Sequence, residues 1–386
     1  MSRLVVDEQN HDKTLKYTLL SAIILALTTV GDAFLYLYLP ANYQNIGISI
    51  VWVGVVLSIN RFTRLFLNGW VSYYLSENGI RTVTIAATIT AVVTTISYGI
   101  ISSILLWLIV RILWGISFST LRLGSIIYAL QHKKRGISLG LSRGIIELGP
   151  VFALIVGPLL LEYFDTFITF CLLGSISFVG VLLAFLLPNV KTESVSKKEL
   201  ILSFPSSFNS IVLLNSFIVE GIVVVLVSRL VQIEHHLDAQ KSVLEVGLLL
   251  GYKRCCLVFL SPLTGWLADT LGFLKMFSFT TIFLTFGLLL IALRMEIVGV
   301  IIVFTFGAMN SSIATGGAIT NNETLLKEAS DNATWRDIGT AFGSFVGSLL
   351  LSIIAIHFVF TLSTLLIITG LLYHHYKLYK SNVNNQ

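Results

Sequence analysis

An all-α membrane protein of twelve transmembrane helices, arranged as two pseudo-symmetric six-helix bundles, is the fold class that three features of this chain predict. Hydrophobic residues fill 55% of the 386 positions and charged residues only 12%, about half the charge of a soluble domain, and the mean hydropathy is +0.88. Apolar stretches of about twenty residues follow one another, each long enough to cross a hydrocarbon core of about 30 Å at 1.5 Å per residue. One polar segment interrupts them at the midpoint, where a duplicated membrane protein would join its halves.

Residues 1–16 are polar and of mixed charge, a cytoplasmic N-terminus, and the apolar run 17–39 has no small-residue cleavage pattern. That run therefore reads as the first span and not as a cleaved signal peptide. Spans at 49–71, 82–102, 104–128, 138–161 and 167–187 complete a first bundle over 17–188. A cytoplasmic linker covers 189–205. The second bundle, 206–376, holds spans at 207–231, 243–267, 274–293, 297–319, 337–356 and 358–376, and 377–386 is a cytoplasmic tail.

With the N-terminus inside, fourteen lysines and arginines fall in cytoplasmic segments, among them Arg81, Lys133, Lys134, Arg135, Lys191 and Lys275, against Lys241 and Arg294 outside. This positive-inside asymmetry predicts an inner-membrane protein with both termini and the linker in the cytoplasm. The Asn332-Ala-Thr sequon then faces the cytosol and carries no glycan. A sequence pI near 9.0 follows from the same loop charges and gives no reason to expect nucleic acid as a partner.

Cys171, Cys255 and Cys256 lie in apolar stretches, and neighbours on a helix point about 100° apart, so no disulfide framework is expected. The adjacent pairs His235/His236 and His374/His375 lack a Cys or His at i+4, so neither a metal site nor a cofactor is expected. No metalloprotease helix, nucleophile elbow or phosphate-binding glycine loop occurs, which argues against an intramembrane enzyme.

The two halves carry a trace of duplication. Arg61, Ser72, Ser76 and Gly79 map onto Arg254, Gly265, Asp269 and Gly272 at one offset of 193, half of 386. The second copy, Gly265-Trp266-Leu267-Ala268-Asp269-Thr270-Leu271-Gly272, resembles the loop signature Gly-x-Leu-Ala-Asp-x-x-Gly of the major facilitator superfamily. Its small residues let two helices approach, and Asp269 can accept from a helix N-terminus, so the loop can latch one conformation. The first copy keeps Gly79 and Arg81 but has Ser72 and Ser76 in place of Gly and Asp. Either Glu77 takes the acidic part, or that latch is weak.

Two further patterns resemble this family. Arg111-Ile112-Leu113-Trp114-Gly115 is similar to the Arg-x-x-x-Gly of its fourth helix, whose arginine the resemblance implicates in proton coupling; the alternative is an arginine snorkelling to the headgroups. Gly144, Ala153 and Gly157-Pro158 resemble the fifth-helix signature of its antiporters, with Ala for one Gly and Leu161-Glu162 where a Gly pair stands. Small residues and proline are also common in membrane helices for packing alone. The resemblance implies a drug- or metabolite-exporter-like carrier.

Ionised side chains within spans are costly and need a partner, water or a task. Acids at Asp32, Glu147 and Glu220 face bases at Arg61, Arg64, Arg111, Arg122, Arg143, Arg229, Lys253 and Arg254, with Arg336 and Asp337 where the eleventh span begins. Asp32 and Glu220 occupy similar places in the first helix of each half, and Arg143 is a private i,i+4 partner for Glu147. A proton-coupling role is therefore expected of Asp32, Glu220 or Glu147 with Arg111. Arg61, Arg64, Lys253, Arg254 and Arg143 are expected to hold a small anionic or zwitterionic substrate, since a guanidinium fork matches a carboxylate.

The expected function is a proton-coupled exporter working by alternating access as a monomer. A proton symporter importing a carboxylate or peptide-like solute is the alternative, and a non-transporting receptor or scaffold is a third reading. For the topology, a cysteine placed at Ser194 or Asn385 should react with a membrane-impermeant maleimide only after permeabilisation. Labelling of either in intact cells would overturn the assignment of these segments to the cytoplasm.

Overall fold

The structure, a computed structural model, describes residues 2–190, 192, 195–196, 200–235, 239–321, 323–350 and 355–384. Ser194, Asn385 and the linker lysines Lys191, Lys197 and Lys198 lie outside the described residues, as do His236 and the side chains of Arg3, Lys13 and Lys241. Among the described residues there are twelve helices and no strand. They are α1 (Ser2–Ile46), α2 (Ile50–Asn78), α3 (Ile80–Ser97), α4 (Ile104–Leu130), α5 (Arg135–Tyr163) and α6 (Thr166–Ala184). Then α7 runs as an α-helix over Ser207–Asn215, widens to a π-helix over Ser216–Val223 and returns to α over Val224–His235. The last are α8 (Ala239–Leu271), α9 (Phe273–Ala292), α10 (Glu296–Ala318), α11 (Leu325–Leu350) and α12 (Ile356–Asn384).

Ten of these helices are long and apolar enough to cross a membrane. The other two are the polar ones: α2 carries Asn60, Arg61, Arg64 and Asn68, and α11 carries Glu328, Asp331, Arg336 and Asp337. Two helices begin well before the sequence reading has them: α1 starts at Ser2 where a span is expected from 17, and α11 starts at Leu325 where hydropathy places a span from 337. The first turns of α11 are polar yet buried, because protein groups satisfy them. Ser330 donates to the Asn68 carbonyl at 3.1 Å, and Asn332 donates to Asn209 Oδ1 at 2.9 Å and accepts from Thr315 at 3.2 Å. A hydropathy scan counts such residues as loop. Arg336 and Asp337, expected where the helix begins, are three turns inside it. Asn332, the sequon residue, is fully buried.

The chain divides into two compact units, Met1–Leu202 with Asn321–Ser330, and Ser203–Thr320 with Asp331–Gln386. In the first, α1 packs against α4, α5 and α6, α2 against α4, and α3 against α4 and α6. In the second the same pairs recur: α7 against α10 and α12, α8 against α10, and α9 against α10 and α12. Each unit has its own apolar core, one around Phe34, Tyr98, Trp107 and Phe170, the other around Ile218, Leu226, Leu288 and Phe304.

Close backbone approach also repeats. In the first unit Gly149 fits against the Ala26 carbonyl and Gly157 against the Phe34 ring, bringing α5 onto α1. In the second, Gly339 and Gly343 of α11 meet the Leu213 and Phe217 carbonyls, and Gly347 meets Ile222, bringing α11 onto α7. Such four-residue spacings of glycine and alanine let helix backbones touch where lipid offers no hydrophobic drive for association. The short joints α2–α3 and α8–α9 use Gly79 (φ 78°) and Gly272 (φ 95°), a backbone region that a side chain would strain.

These contacts rank substitutions. A Cβ at Gly343 meets backbone that cannot yield, whereas one at Gly251 meets nothing within 4 Å. Gly343→Ala should lower stability by about 1–3 kcal/mol, while Gly251→Ala in the same helical context should be neutral or slightly stabilising. Thermal unfolding of the purified protein in detergent checks both; equal melting temperatures for the two variants would contradict the α7–α11 contact.

Candidate functional site

In the first unit one buried arginine gathers three helices. Arg111 of α4 is 0% exposed, so each donor needs a protein acceptor. Its guanidinium bonds Asp32 of α1, donates Nε to the Val56 carbonyl of α2 at 3.0 Å, and reaches the hydroxyls of Tyr98 at 3.1 Å and Tyr36 at 3.3 Å. Tyr36 in turn donates to the Leu57 carbonyl at 3.0 Å. Tyr98 stacks on Trp107, with ring centroids 5.6 Å apart and planes 9° from parallel, which fixes the phenol that faces Arg111. Gly115, one turn further along α4, lies against Asn60 and Thr63, so the α2–α4 approach that brings Val56 within reach depends on it.

The second unit places its intramembrane acid differently. Glu220 sits on the π-helical stretch of α7, beside Gly221 and where α11 comes closest. Lys253 of α8 pairs with it at 2.7 Å, and their side chains keep 12% (Lys253) and 27% (Glu220) exposure. Lys253 also lies 5.5 Å from the Phe304 ring centre, within cation–π range. Glu220 lines a cleft shared by α7, α9, α10 and α11, whose polar lining is Asn215, Ser216, Asn310, Ser311 and Arg336. The cleft thus presents a carboxylate, a guanidinium, two amides and two hydroxyls inside an otherwise apolar bundle.

The remaining expected residues fall as follows. Arg143 and Glu147 pair at 2.9 Å along one face of α5. Arg64 lies 4.8 Å over the Phe118 ring, and Arg61, half-buried, has no hydrogen-bond or ion-pair partner among the described residues. Arg254 is half-buried next to Lys253 on α8. Gly144, Ala153 and Gly157 are buried in α5, with Pro158 beside them. Gly265 is buried and Asp269 half-buried in the last turns of α8, ahead of the Gly272 joint. At the matched place in the first unit, Ser76 accepts the amide hydrogen of Val195 at 3.1 Å, while Glu77 is exposed. Ser76 therefore anchors the linker. Arg81 donates to the Phe185 carbonyl at 2.8 Å, capping the C-terminus of α6.

Sequence reasoning missed Asn215, Asn310 and Ser311 altogether and left Arg336 at a helix end. The available signal was the asparagines, since an amide within a span is nearly as demanding of partners as a charge.

The comparisons with known proteins agree with this architecture. The human organic anion transporter MFSD10 (TETRAN) superposes with a TM-score of 0.75 at 12% identity, covering 93% of this chain and 99% of that one. The E. coli fucose:proton symporter FucP gives 0.73 at 13%, covering 94% and 98%. A bacterial homologue of the iron transporter ferroportin in its outward-facing state gives 0.68 at 14%, again covering 94% and 98%. At these identities the likeness is one of fold. No curated protein matches by sequence. The family model of the Major Facilitator Superfamily matches residues 21–330, and with most of its length so matched the chain belongs to that superfamily and is a multi-pass membrane transporter, not an enzyme.

Proposed function

We propose that the protein is a proton-coupled secondary active carrier in the cytoplasmic membrane, monomeric and with both termini inside, that exports a small anionic or zwitterionic organic molecule by alternating access. The observation that carries this reading is the Glu220–Lys253 pair on the edge of a cleft lined also by Arg336. A carboxylate that takes up a proton releases its ammonium partner, so the protonation state of Glu220 and the charge available to cargo are one equilibrium. For a zwitterion, the ammonium end of the cargo competes with the proton for Glu220. That competition is exchange, outward for the solute and inward for the proton.

Proton symport that imports a carboxylate or peptide-like solute is the second reading, and one observation favours it. The α5 small-residue spacing that resembles an antiporter signature is duplicated in α11 by Gly339, Gly343 and Gly347, where it packs helices, so it gives no direction of its own. A plain anion would bind Lys253 best when Glu220 is protonated, and the two would travel together.

Glu220 is placed ahead of Asp32 as the coupling acid because Asp32 balances an enclosed guanidinium. Asp32→Asn should cost about 3–5 kcal/mol of stability by leaving that charge uncompensated, which detergent melting would detect. Glu220→Gln should instead preserve the fold, abolish accumulation against a pH gradient in proteoliposomes and permit downhill exchange. If Glu220→Gln still concentrates substrate at the wild-type ratio, Glu220 does not carry the proton. The sign of the flux under an inward gradient separates export from import. Asp269→Asn, at the membrane edge of α8, should slow turnover while leaving affinity within a few-fold; a large loss of affinity at unchanged turnover would place Asp269 in the binding site.

A further inference from the structure

Asn215 holds one oxygen that meets no donor among the described residues, and its neighbours prevent it from turning. Asn215 of α7 is 5% exposed and lines the cleft together with Asn310 of α10 and Arg336 of α11. Behind it, Thr280 Oγ1 donates its only hydrogen to the Met276 or Phe277 carbonyl, at 3.1 and 3.0 Å. Thr281 Oγ1 donates its own to the Phe277 carbonyl at 2.8 Å. Both hydroxyls can then only accept, and Asn310 Nδ2 donates to each at 3.0 Å. Asn310 Oδ1 is thereby turned toward Asn215, whose Nδ2 donates to it at 3.1 Å and to Thr281 at 3.3 Å. A flipped Asn215 would set two oxygens against each other. Its Oδ1 is therefore held away from the network, buried and without a hydrogen bond.

A buried acceptor left without a donor is costly and rare, and it calls for a reason. We infer that Asn215 is a specificity-determining acceptor: the cargo of this cleft is a small organic acid that carries an α-ammonium or α-hydroxyl donor beside its carboxylate. The donor meets Asn215 Oδ1, and the carboxylate meets Arg336, whose planar fork suits two carboxylate oxygens. Asn310, backed by Thr280 and Thr281, is the positioning residue. This rests on the reading of the cleft as a site for an anionic or zwitterionic solute and adds a requirement that a plain carboxylate does not meet. A site built to hydrogen-bond a substrate group rejects the analogue without it, because the site's own polar atom is then stranded.

Calorimetric titration of the purified full-length protein with two matched series tests this. The series are propionate, lactate and alanine, and 3-phenylpropionate, phenyllactate and phenylalanine, which differ within each set only at the α-substituent. At least one donor-bearing member should bind about tenfold or more tighter than its parent acid, equivalent to about 1.4 kcal/mol. Preference for the amino acids assigns a zwitterion, and preference for the hydroxy acids assigns an anion. Asn215→Leu, or Asn215→Ala should the larger side chain not fold, brings the ratio of donor-bearing to parent-acid affinity close to one, whatever the absolute affinities. Asn310→Leu, which frees the Asn215 amide to turn, also collapses the ratio, a readout that lost packing alone would not move. Acids that bind the wild type without discrimination, or a preference that survives in the Asn215 variants, overturn the inference and leave the proposed function standing. If none of the six acids binds the wild type, the anionic or zwitterionic cargo reading falls, and this inference with it.

Discussion

A guanidinium enclosed by membrane helices must have its hydrogen-bond directions met by protein, because lipid offers none. In the first unit that demand on Arg111 fixes the relative placement of α1, α2 and α4 and of the Tyr98 turn after α3. Asp32 supplies the charge, the Val56 carbonyl takes Nε, and the two tyrosine hydroxyls fill the fork. The acceptors come from three segments, Asp32 and Tyr36 from α1, Val56 from α2 and Tyr98 from the turn after α3, so none of these can slide past α4 without leaving a donor bare. The aromatic core of Phe34, Tyr98, Trp107 and Phe170 surrounds the same point. Packing and polar satisfaction therefore select one arrangement.

The second unit repeats the helix pairs but answers a different demand. Glu220 stands where Asp32 stands in sequence, yet its partner is a lysine on α8 and both keep access to open space. Neutralising Asp32 would strand a fully buried cation, whereas neutralising Glu220 would leave a lysine that keeps 12% exposure. The two acids occupy similar places in the first helix of each half. Their surroundings differ: Asp32 is tied to an enclosed guanidinium, and Glu220 keeps 27% exposure beside a polar cleft.

Much of this was legible in the sequence. Periodicity and length set the helix count, the Gly-x-Leu-Ala-Asp-x-x-Gly loop marked the family, and the cost of intramembrane charge singled out Asp32, Arg111, Glu220 and Lys253. The pairing of Arg143 with Glu147 followed from helix spacing alone, since i and i+4 lie on one face. What hydropathy could not reach was polar chain buried by tertiary hydrogen bonds. The first turns of α11, with Ser330 and Asn332 bonded to Asn68 and Asn209, look like loop until their partners are known. Asn215 and Asn310 are likewise mute in isolation, because their meaning lies in which amide hydrogens point at which oxygens. The α5 small residues carry both readings the sequence offered, and Gly149, Gly157 and the α11 glycines show the packing one.

Those small-residue contacts bear on what can move. Backbone packed on backbone through Gly149 and Gly157 ties α5 to α1, and through Gly339, Gly343 and Gly347 ties α11 to α7. Helices joined in this way travel as pairs, since separating them would open voids along the whole contact. Glu220 and Arg336 lie on one such pair, so any movement that keeps α7 and α11 packed together preserves their separation. Lys253 is not tied in this way. The glycines of α8 two and six residues before it, Gly251 and Gly247, face no neighbour within 4 Å, and its hold on Glu220 is an ion pair in which both side chains keep some exposure. Under the coupling role proposed for Glu220, this is the contact whose strength changes with the proton, so protonation and the loosening of α8 from α7 would act on one bond.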